Sequence, residues 1–138
     1  MFKKVVASLA ITMFSASAAL AVNMMEPAAL KTVIDKKQPV VLVDIQPASD
    51  FEKHHLPGSI ETNAFPAKKD DEKKRLDKAL PAINKSAATV VVVCPKGKTG
   101  AVNSYNYLIT KGVPEARLQV LKGGISDWPY KEMFVKGR

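Results

Sequence analysis

Residues 90–101 read Val-Val-Val-Val-Cys-Pro-Lys-Gly-Lys-Thr-Gly-Ala and carry the clearest structural signal in the chain. A continuous run of β-branched residues is typical of a strand buried on both faces, as in a parallel sheet. Proline and glycine then interrupt the run, and from Gly100 the apolar residues recur at helical spacing. Cys94, the only cysteine, therefore lies where a central strand ends and a loop leads into a helix. Open α/β sheets bind their ligands in the crevice at that edge.

The loop after Cys94 offers several sources of positive potential to a thiol. Backbone N–H groups in a sharp turn converge on one point, and the N-terminus of a helix adds further unpaired N–H groups. Lys96 and Lys98 add positive charge at the mouth of the loop. Each effect favours the thiolate, so the sequence predicts that the pKa of Cys94 is lowered and that its sulfur is a nucleophile. The alternative interpretation is a buried, unreactive cysteine.

The N-terminal residues 1–21 have the features of a secretory signal peptide. Lys3 and Lys4 precede a weakly apolar segment, and Ala-Leu-Ala at 19–21 is a small-x-small cleavage site. An uncleaved membrane anchor is the alternative interpretation. The sequence thus predicts an exported protein with no stable membrane association after cleavage. Its mature part, residues 22–138, has the length of one domain with a moderate core.

The charge balance of the chain is basic, with 21 Lys and Arg against 13 Asp and Glu and a formal net charge of +8. A basic surface can attract nucleic acid, anionic membranes or small anions. Because the lysines are dispersed and the protein is predicted to be exported, we expect no nucleic-acid partner. A single cysteine excludes an internal disulfide framework and indicates a working thiol or an intermolecular bridge.

Helices alternate with short apolar strands along the rest of the chain, which indicates an α/β class with a mostly parallel sheet. The predicted strands are residues 40–44, 89–93 and 118–121, with a further short strand from Ile60. The predicted helices are residues 24–37, 71–80 and 100–111, with short helical turns at 49–53 and 125–128.

Four segments resemble motifs of the rhodanese family of sulfurtransferases, in the same order and at suitable spacing. They are Val-Leu-Val-Asp-Ile at 41–45, His-Leu-Pro-Gly-Ser-Ile at 55–60, Cys-Pro-Lys-Gly-Lys-Thr at 94–99, and Gly-Gly-Ile at 123–125 with Trp128. The resemblance implies a single rhodanese-like domain over residues 22–138, with a small, mostly parallel sheet and helices on both faces. With its predicted signal peptide, the chain is similar to periplasmic single-domain members of the family.

The resemblance implies a thiosulfate sulfurtransferase. Cys94 would attack the outer sulfur of thiosulfate, release sulfite and become a persulfide, whose sulfur passes to cyanide, a thiol or a protein acceptor. The family chemistry needs no metal and no organic cofactor. Asp44 and Pro95 would have supporting roles. The substrate-binding residues implied by the resemblance are Lys96, Gly97, Lys98, Thr99 and Gly100.

Three positions depart from the family pattern. Gln46 stands where arginine usually follows the first strand motif. Pro95 occupies a loop position that is often arginine, and it supplies neither a cation nor a backbone N–H. Thr99 ends the loop, as in two-domain members, where single-domain members often have arginine. We expect Lys96 to hold the substrate sulfonate and Lys98 to compensate for the missing cation, which favours thiosulfate over mercaptopyruvate.

Other functions stay open at this point. A persulfide carrier would hold sulfur on Cys94 for a protein partner, and a catalytically silent domain would only bind partners. A phosphatase is disfavoured because Thr99 replaces the arginine that would clamp phosphate. His54 and His55 lack a third ligand, so we predict no metal site. Thr99 is expected either to hydrogen-bond the cysteine sulfur or to cap the helix, and Trp128 to lie in the core.

Overall fold

A five-stranded sheet forms the centre of the computed structural model, which describes residues 21–138. The order across the sheet is β1-β5-β4-β2-β3, and every neighbouring pair is parallel. The α/β class and the strands predicted at residues 40–44, 89–93 and 118–121 are therefore confirmed. The strands are β1 (Met24–Met25), β2 (Val40–Asp44), β3 (Ile60–Glu61), β4 (Thr89–Val93) and β5 (Leu118–Leu121).

The predicted signal peptide, residues 1–21, lies outside the described residues except for Ala21. Its cleavage therefore stays a prediction. Within the described part of the chain, no helix is long and apolar enough to cross a membrane.

The central strands are buried because their β-branched side chains fill both faces of the sheet. All four valines of β4 are 0% exposed. Strand β2 pairs with β4 along its whole length, and Asp44 lies level with Val93. This register brings the carboxyl ends of the two strands to the same edge of the sheet.

Helices cover both faces of the sheet, as expected. One face is covered by α4 (Leu80–Asn84) and α5 (Thr99–Thr110), whereas α3 (Asp70–Lys74) buries no residue. The other face carries α1 (Pro27–Asp35) and the segment after β5, in which Trp128 is 0% exposed. Trp128 is thus a core residue, as predicted. The remaining helix, α2 (Ala48–Lys53), follows β2 at the carboxyl edge and confirms the short helical turn predicted there.

The first helix is shorter than predicted because its start is used as a strand. Met24 and Met25 pair with Val120 and Leu121 as the edge strand β1. The helix then begins at Pro27, whose missing N–H costs nothing in a first turn. Residues 24 and 25 therefore belong to the sheet rather than to the helix predicted over residues 24–37.

The helix predicted over residues 71–80 is confirmed as helical throughout, but it is not one continuous α-helix. The chain instead forms α3, a 3₁₀ helix at Arg75–Ala79, and then α4. Pro81 lies in the first turn of α4, where proline is tolerated, so it starts a helix instead of ending one. The short turn predicted at 125–128 is present, since the Trp128 N–H donates to the carbonyl of Ile125 at 3.1 Å, and it belongs to a series of turns that contacts the Cys94 loop.

Candidate active site

Asp44 and Cys94 are neighbours at the carboxyl edge of the sheet because they end adjacent parallel strands. The N–H of Ile45 donates a hydrogen bond to the carbonyl of Val93 at 2.8 Å, which extends the pairing of β2 and β4 by one residue. Cys94 follows β4 directly and is 1% exposed, and Asp44 is 0% exposed. A loop then leads from Cys94 to α5, as the sequence predicts.

The Cys94 sulfur is surrounded by backbone N–H groups of its own loop. Burial raises the pKa of the Cys94 thiol above its ordinary value of 9.0. The N–H groups of Gly97, Lys96, Lys98 and Ala101 oppose that rise by stabilising the thiolate, and the Gly97 N–H donates to Sγ at 2.6 Å. The prediction of a lowered pKa is therefore wrong in direction: the donors are present, but desolvation of the sulfur outweighs them.

Two glycines allow the Cys94 loop to pack against the turn that follows β5. Gly97 has a φ of +70°, and a β-carbon there would lie 2.8 Å from the nitrogen of Gly123. A β-carbon at Gly124 would overlap the carbonyl oxygen of Cys94 and lie 2.7 Å from the nitrogen of Gly97. The N–H of Ile125 donates to that same carbonyl at 2.9 Å. The Gly123-Gly124 turn therefore packs directly against the backbone of the Cys94 loop and holds it in place.

A pocket of about 440 Å³ opens beside the cysteine. Pro47, Phe65 and Pro66 give it an apolar wall. Lys96 and Lys98 lie at its rim, where both side chains are exposed. Neither lysine forms an ion pair with any residue of the 21–138 segment, so both can meet an incoming anion. The structure thus brings together the residues predicted to bind substrate, while their roles stay predictions.

The remaining loop residues lie around the same pocket. Thr99 is the first residue of α5 and Lys98 holds the N-cap position, without a side-chain hydrogen bond to the helix. The hydroxyl of Thr99 is exposed and, among the described residues, bonds neither the sulfur nor a helix N–H, so neither expected role is seen. Gly100 is buried under Phe65, whose ring a β-carbon at Gly100 would approach to 2.9 Å. Pro95 lines the pocket, and its carbonyl accepts the Ser126 N–H at 2.9 Å.

The Asp44 carboxylate is buried without a cation beside it. Its Oδ1 accepts the backbone N–H of Gln46 at 2.8 Å and its Oδ2 accepts Nε2 of Gln46 at 3.0 Å. Burial raises the pKa of Asp44 to about 7; the two Gln46 hydrogen bonds oppose this rise, and the negative charge of Glu61 adds to it. Asp44 therefore ties the end of β2 to the next residues, and its supporting role in the reaction stays a prediction.

His55 joins two segments at the carboxyl edge of the sheet. The ring of His55 stacks on Phe51 with centroids 3.7 Å apart, and its Nδ1 lies 2.9 Å from the Phe51 carbonyl oxygen. The backbone of His55 exchanges two hydrogen bonds with Val135, each 2.9 Å long. No group of three or more His, Cys, Asp or Glu that could hold a metal occurs within residues 21–138. His55 thereby fixes the C-terminal segment beside α2.

The sequence interpretation missed the apolar wall opposite the sulfur. The sequence pattern assigned no role to Phe65, Pro66, Pro47 or Asp50, all of which line the pocket. Phe65 is 39% exposed, a high value for a large aromatic side chain, but exposure follows from tertiary packing and is not visible in the pattern. The double glycine at 123–124 was a usable signal, because it marks a place where two backbone segments approach closely.

The chain matches the Rhodanese-like domain family over residues 26–131. A rhodanese-like domain protein from Staphylococcus aureus has a TM-score of 0.60 and 18% identity, and the match covers 85% of this chain and 100% of that one. A Saccharomyces cerevisiae homolog of single-domain rhodanese and of the Cdc25 phosphatase catalytic domain has a TM-score of 0.61 and 20% identity, over 78% of this chain and 79% of that one.

A thiosulfate sulfurtransferase from Pseudomonas aeruginosa has a TM-score of 0.63 and 16% identity, over 85% of this chain but only 21% of that one. At these identities the structural likeness shows the fold alone. Comparison with curated protein sequences finds no significant match. The family match, by contrast, spans most of the chain and includes the Cys94 loop. The chain therefore belongs to the rhodanese-like family.

Proposed function

We propose that the chain is a sulfurtransferase that moves sulfane sulfur from thiosulfate to a thiophilic acceptor through a persulfide on Cys94. The observation that carries this proposal is the 2.6 Å contact between the Gly97 N–H and the Cys94 sulfur beside an open pocket. N–H groups fixed around a sulfur stabilise negative charge on it before and after sulfur is attached. Membership in the rhodanese-like family supports the same chemistry.

The reaction has two steps that share one nucleophile. The Cys94 thiolate attacks the outer sulfur of thiosulfate, and the sulfur–sulfur bond of thiosulfate breaks so that sulfite leaves with the electron pair. The product on the protein is a Cys94 persulfide anion. Cyanide or a thiolate then attacks the outer sulfur of that persulfide, and Cys94 leaves as the thiolate. Charge and atoms balance in each step, and no external oxidant or reductant is required.

The loop side chains supply binding rather than chemistry in this proposal. Lys96 and Lys98 attract the thiosulfate dianion to the rim and face its sulfonate oxygens. The backbone N–H groups of Gly97 and Gly100 belong to the anion-binding turn and first helical turn beside the sulfur. Thr99, whose hydroxyl is exposed beside the same pocket, offers a further donor to the bound anion.

The burial of the sulfur favours a second candidate function, a persulfide carrier. The thiol is 1% exposed, and burial raises its pKa, so little thiolate is present at neutral pH. Such a group turns over slowly on small acceptors but protects a bound persulfide from oxidation. In this version the physiological acceptor is the thiol of another protein.

The proposed setting is outside the cytosol. The leader-like residues 1–21 support export to the periplasm and removal of the leader. The partners would then be a small anionic sulfur donor and a thiol or cyanide acceptor, without nucleic acid and without stable membrane attachment. N-terminal sequencing of the secreted protein tests this: a mature chain beginning at Val22 supports it, and an intact Met1 contradicts it.

Intact mass spectrometry before and after brief exposure to thiosulfate tests the proposed activity. We expect a gain of one sulfur atom that is absent in Cys94→Ser, the matched control that removes the only thiol. Adding cyanide should remove that sulfur as thiocyanate. Rapid removal identifies the turnover enzyme and slow removal identifies the carrier. Failure to gain sulfur while Cys94 is shown to be a free thiol would overturn both.

A further inference from the structure

A second hollow continues from the Cys94 pocket across the carboxyl edge of the molecule. A small depression of about 190 Å³ shares Asp50, Pro95 and Lys96 with the Cys94 pocket. It shares His54 and Ser126 with a larger groove of about 650 Å³ beyond it. The three hollows therefore lie next to one another in a row that starts beside the sulfur, and we call this row the path. We name the larger one the lysine groove, after its residues Lys53, Lys131 and Lys136.

The lysine groove is assembled from two distant parts of the chain. Lys53 is the last residue of α2, while Lys136 belongs to the C-terminal segment. The two backbone hydrogen bonds between His55 and Val135 hold these parts together. The Gly137 N–H adds a bond to the carbonyl of Glu52 at 2.8 Å. The backbone positions of Lys53 and Lys136 are thus fixed by the fold.

The charge along the path is strongly one-sided. Five lysines line it, against one carboxylate, that of Asp50. In the described part of the chain, Lys53, Lys131 and Lys136 form no ion pair. The ammonium of Lys131 donates to the carbonyl of Trp128 at 3.1 Å, which leaves two of its three protons for another acceptor. Unpaired lysines in a concave surface attract negative charge.

The path is far longer than thiosulfate or cyanide requires. Either small anion fits within the pocket at Cys94, so the lysine groove has no use for them. Phe134 and Ile125 give the groove apolar walls between its lysines. A flat membrane surface cannot enter such a concave site, whereas an extended polypeptide can follow it. The shape and charge together favour a protein segment with several carboxylates.

We propose that the lysine groove docks an extended acidic segment of a protein whose cysteine accepts sulfur from Cys94. The acceptor thiolate attacks the outer sulfur of the Cys94 persulfide and the persulfide bond breaks. A persulfide then forms on the acceptor while the electron pair returns to Cys94 as thiolate. The sulfur transfer rests on the proposed function, whereas the docking of the acidic segment does not. Each can therefore be measured without the other.

The proposed docking is tested by measuring how tightly the full chain binds two fluorescein-labelled peptides of equal length, one of Glu-Gly repeats and one of Gln-Gly repeats. We expect fluorescence anisotropy to show at least about tenfold tighter binding of the Glu-Gly peptide at low salt, weakening as salt is added. Lys53→Glu/Lys136→Glu should remove this preference, because it reverses two of the positive charges in the groove. The variant should fold, because neither lysine side chain makes a hydrogen bond among the described residues. Thermal unfolding checks that it does.

The matched control is Lys36→Glu/Lys85→Glu, which makes the same change of charge just before the amino ends of β2 and β4, at the other edge of the sheet. It should bind the Glu-Gly peptide nearly as well as the unaltered chain. Equal loss in both double variants would show that only net charge matters and would overturn the proposal. Equal binding of the two peptides would also overturn the proposal. The same holds if phosphatidylserine vesicles bind through the groove lysines while neither peptide is preferred.

The transfer half uses chain loaded with sulfur from thiosulfate. Discharge to a cysteine-containing Glu-Gly peptide should be about tenfold faster than discharge to its Gln-Gly counterpart, and Lys53→Glu/Lys136→Glu should abolish that difference without slowing discharge to cyanide. Equal rates for the two peptides would overturn the proposed transfer. A chain that never loads sulfur would overturn the proposed function, while the anisotropy result would still decide whether the groove binds acidic segments.

Discussion

The two carboxylate oxygens of Asp44 are held by two nitrogens of one residue, Gln46: the backbone N–H reaches Oδ1 at 2.8 Å and Nε2 reaches Oδ2 at 3.0 Å. The Gln46 amide also donates to the carbonyl of His54 at 3.3 Å, so it joins the end of β2 to the end of α2. Two neutral hydrogen bonds do not replace a cation, and the buried carboxyl holds its proton up to about neutral pH.

Replacement of Asp44 by Asn should flatten the pH dependence of stability. The folded pKa of Asp44 is about 7 and the ordinary value is 3.8, so the folded state binds more protons between them. The stability associated with this group is present below pH 3.8 and is lost as the pH rises through about 7, by up to roughly 4 kcal/mol. In urea unfolding, Asp44→Asn should therefore gain stability relative to the original chain as pH rises. Parallel curves would contradict this.

Gln46→Arg tests the same carboxyl in another way, because it keeps Asp44 and places a cation beside it. Arginine beside Asp44 would keep the carboxylate ionised, and the depression that Gln46 lines offers space for the longer side chain. In the same urea-unfolding series, the free energy of unfolding of this variant should no longer fall as the pH rises to neutral. If Gln46→Arg retained that fall, the carboxyl of Asp44 would not be its source.

The strands of the fold were predictable where burial is continuous, and the short edge strand at Ile60 was also predicted, but the edge strand β1 was not. Residues 90–93 are four consecutive buried valines, so their sequence carries the strand without tertiary information. Met24 and Met25 form a strand only because Val120 and Leu121 lie beside them. A strand of two residues is too short to show a period of two, so Met24 and Met25 were included in the helix predicted from the apolar residues that follow them. Tertiary pairing therefore overrides the local prediction.

The candidate site was predictable to the extent that it is local. The Cys94 loop carries its own N–H donors, so the position of the cysteine at the strand end and the N–H groups around its sulfur could be predicted from residues 94–100. The direction in which the pKa of the thiol shifts could not be predicted, because it depends on how deeply the surrounding elements bury the sulfur. The lysine groove was equally hidden, because Lys53 and Lys136 are brought together by the distant pairing of His55 with Val135.

Gly124→Ala should disable sulfur loading. A β-carbon there overlaps the Cys94 carbonyl oxygen, and the residue has a φ of +61°, so the Cys94 loop must shift. The matched control is Gly58→Ala, with a φ of +79° and nothing within 4 Å of the added carbon. Both should lose roughly 1–2 kcal/mol of stability from backbone strain. Only Gly124→Ala should slow thiosulfate loading in the mass assay, and equal slowing of both would refute the role given to this contact.

Alkylation of Cys94 should become fast only at alkaline pH. The thiolate is the reactive form, and burial raises the thiol pKa above 9.0, so the rate with iodoacetamide should keep rising beyond that pH. The urea-unfolded chain is the control, since its exposed thiol titrates normally. Because the folded thiol holds its proton to higher pH, this group also makes the fold less stable as the pH rises. A rate that levels off below neutral pH would show a lowered pKa instead.

Pro95→Arg should improve the use of thiosulfate. Pro95 lines the pocket and contributes no charge, so an arginine there would add a cation beside Lys96 and Lys98 at the rim. For a partly exposed contact with a sulfonate we expect KM for thiosulfate to fall up to about fivefold, with a smaller change in kcat. Initial rates of thiocyanate formation measure both constants. Pro95→Gln restores the backbone N–H and a long side chain without charge, and it should leave KM nearly unchanged. Equal improvement in the two variants would mean that the backbone N–H or relief of the proline ring, rather than the missing cation, limits thiosulfate binding.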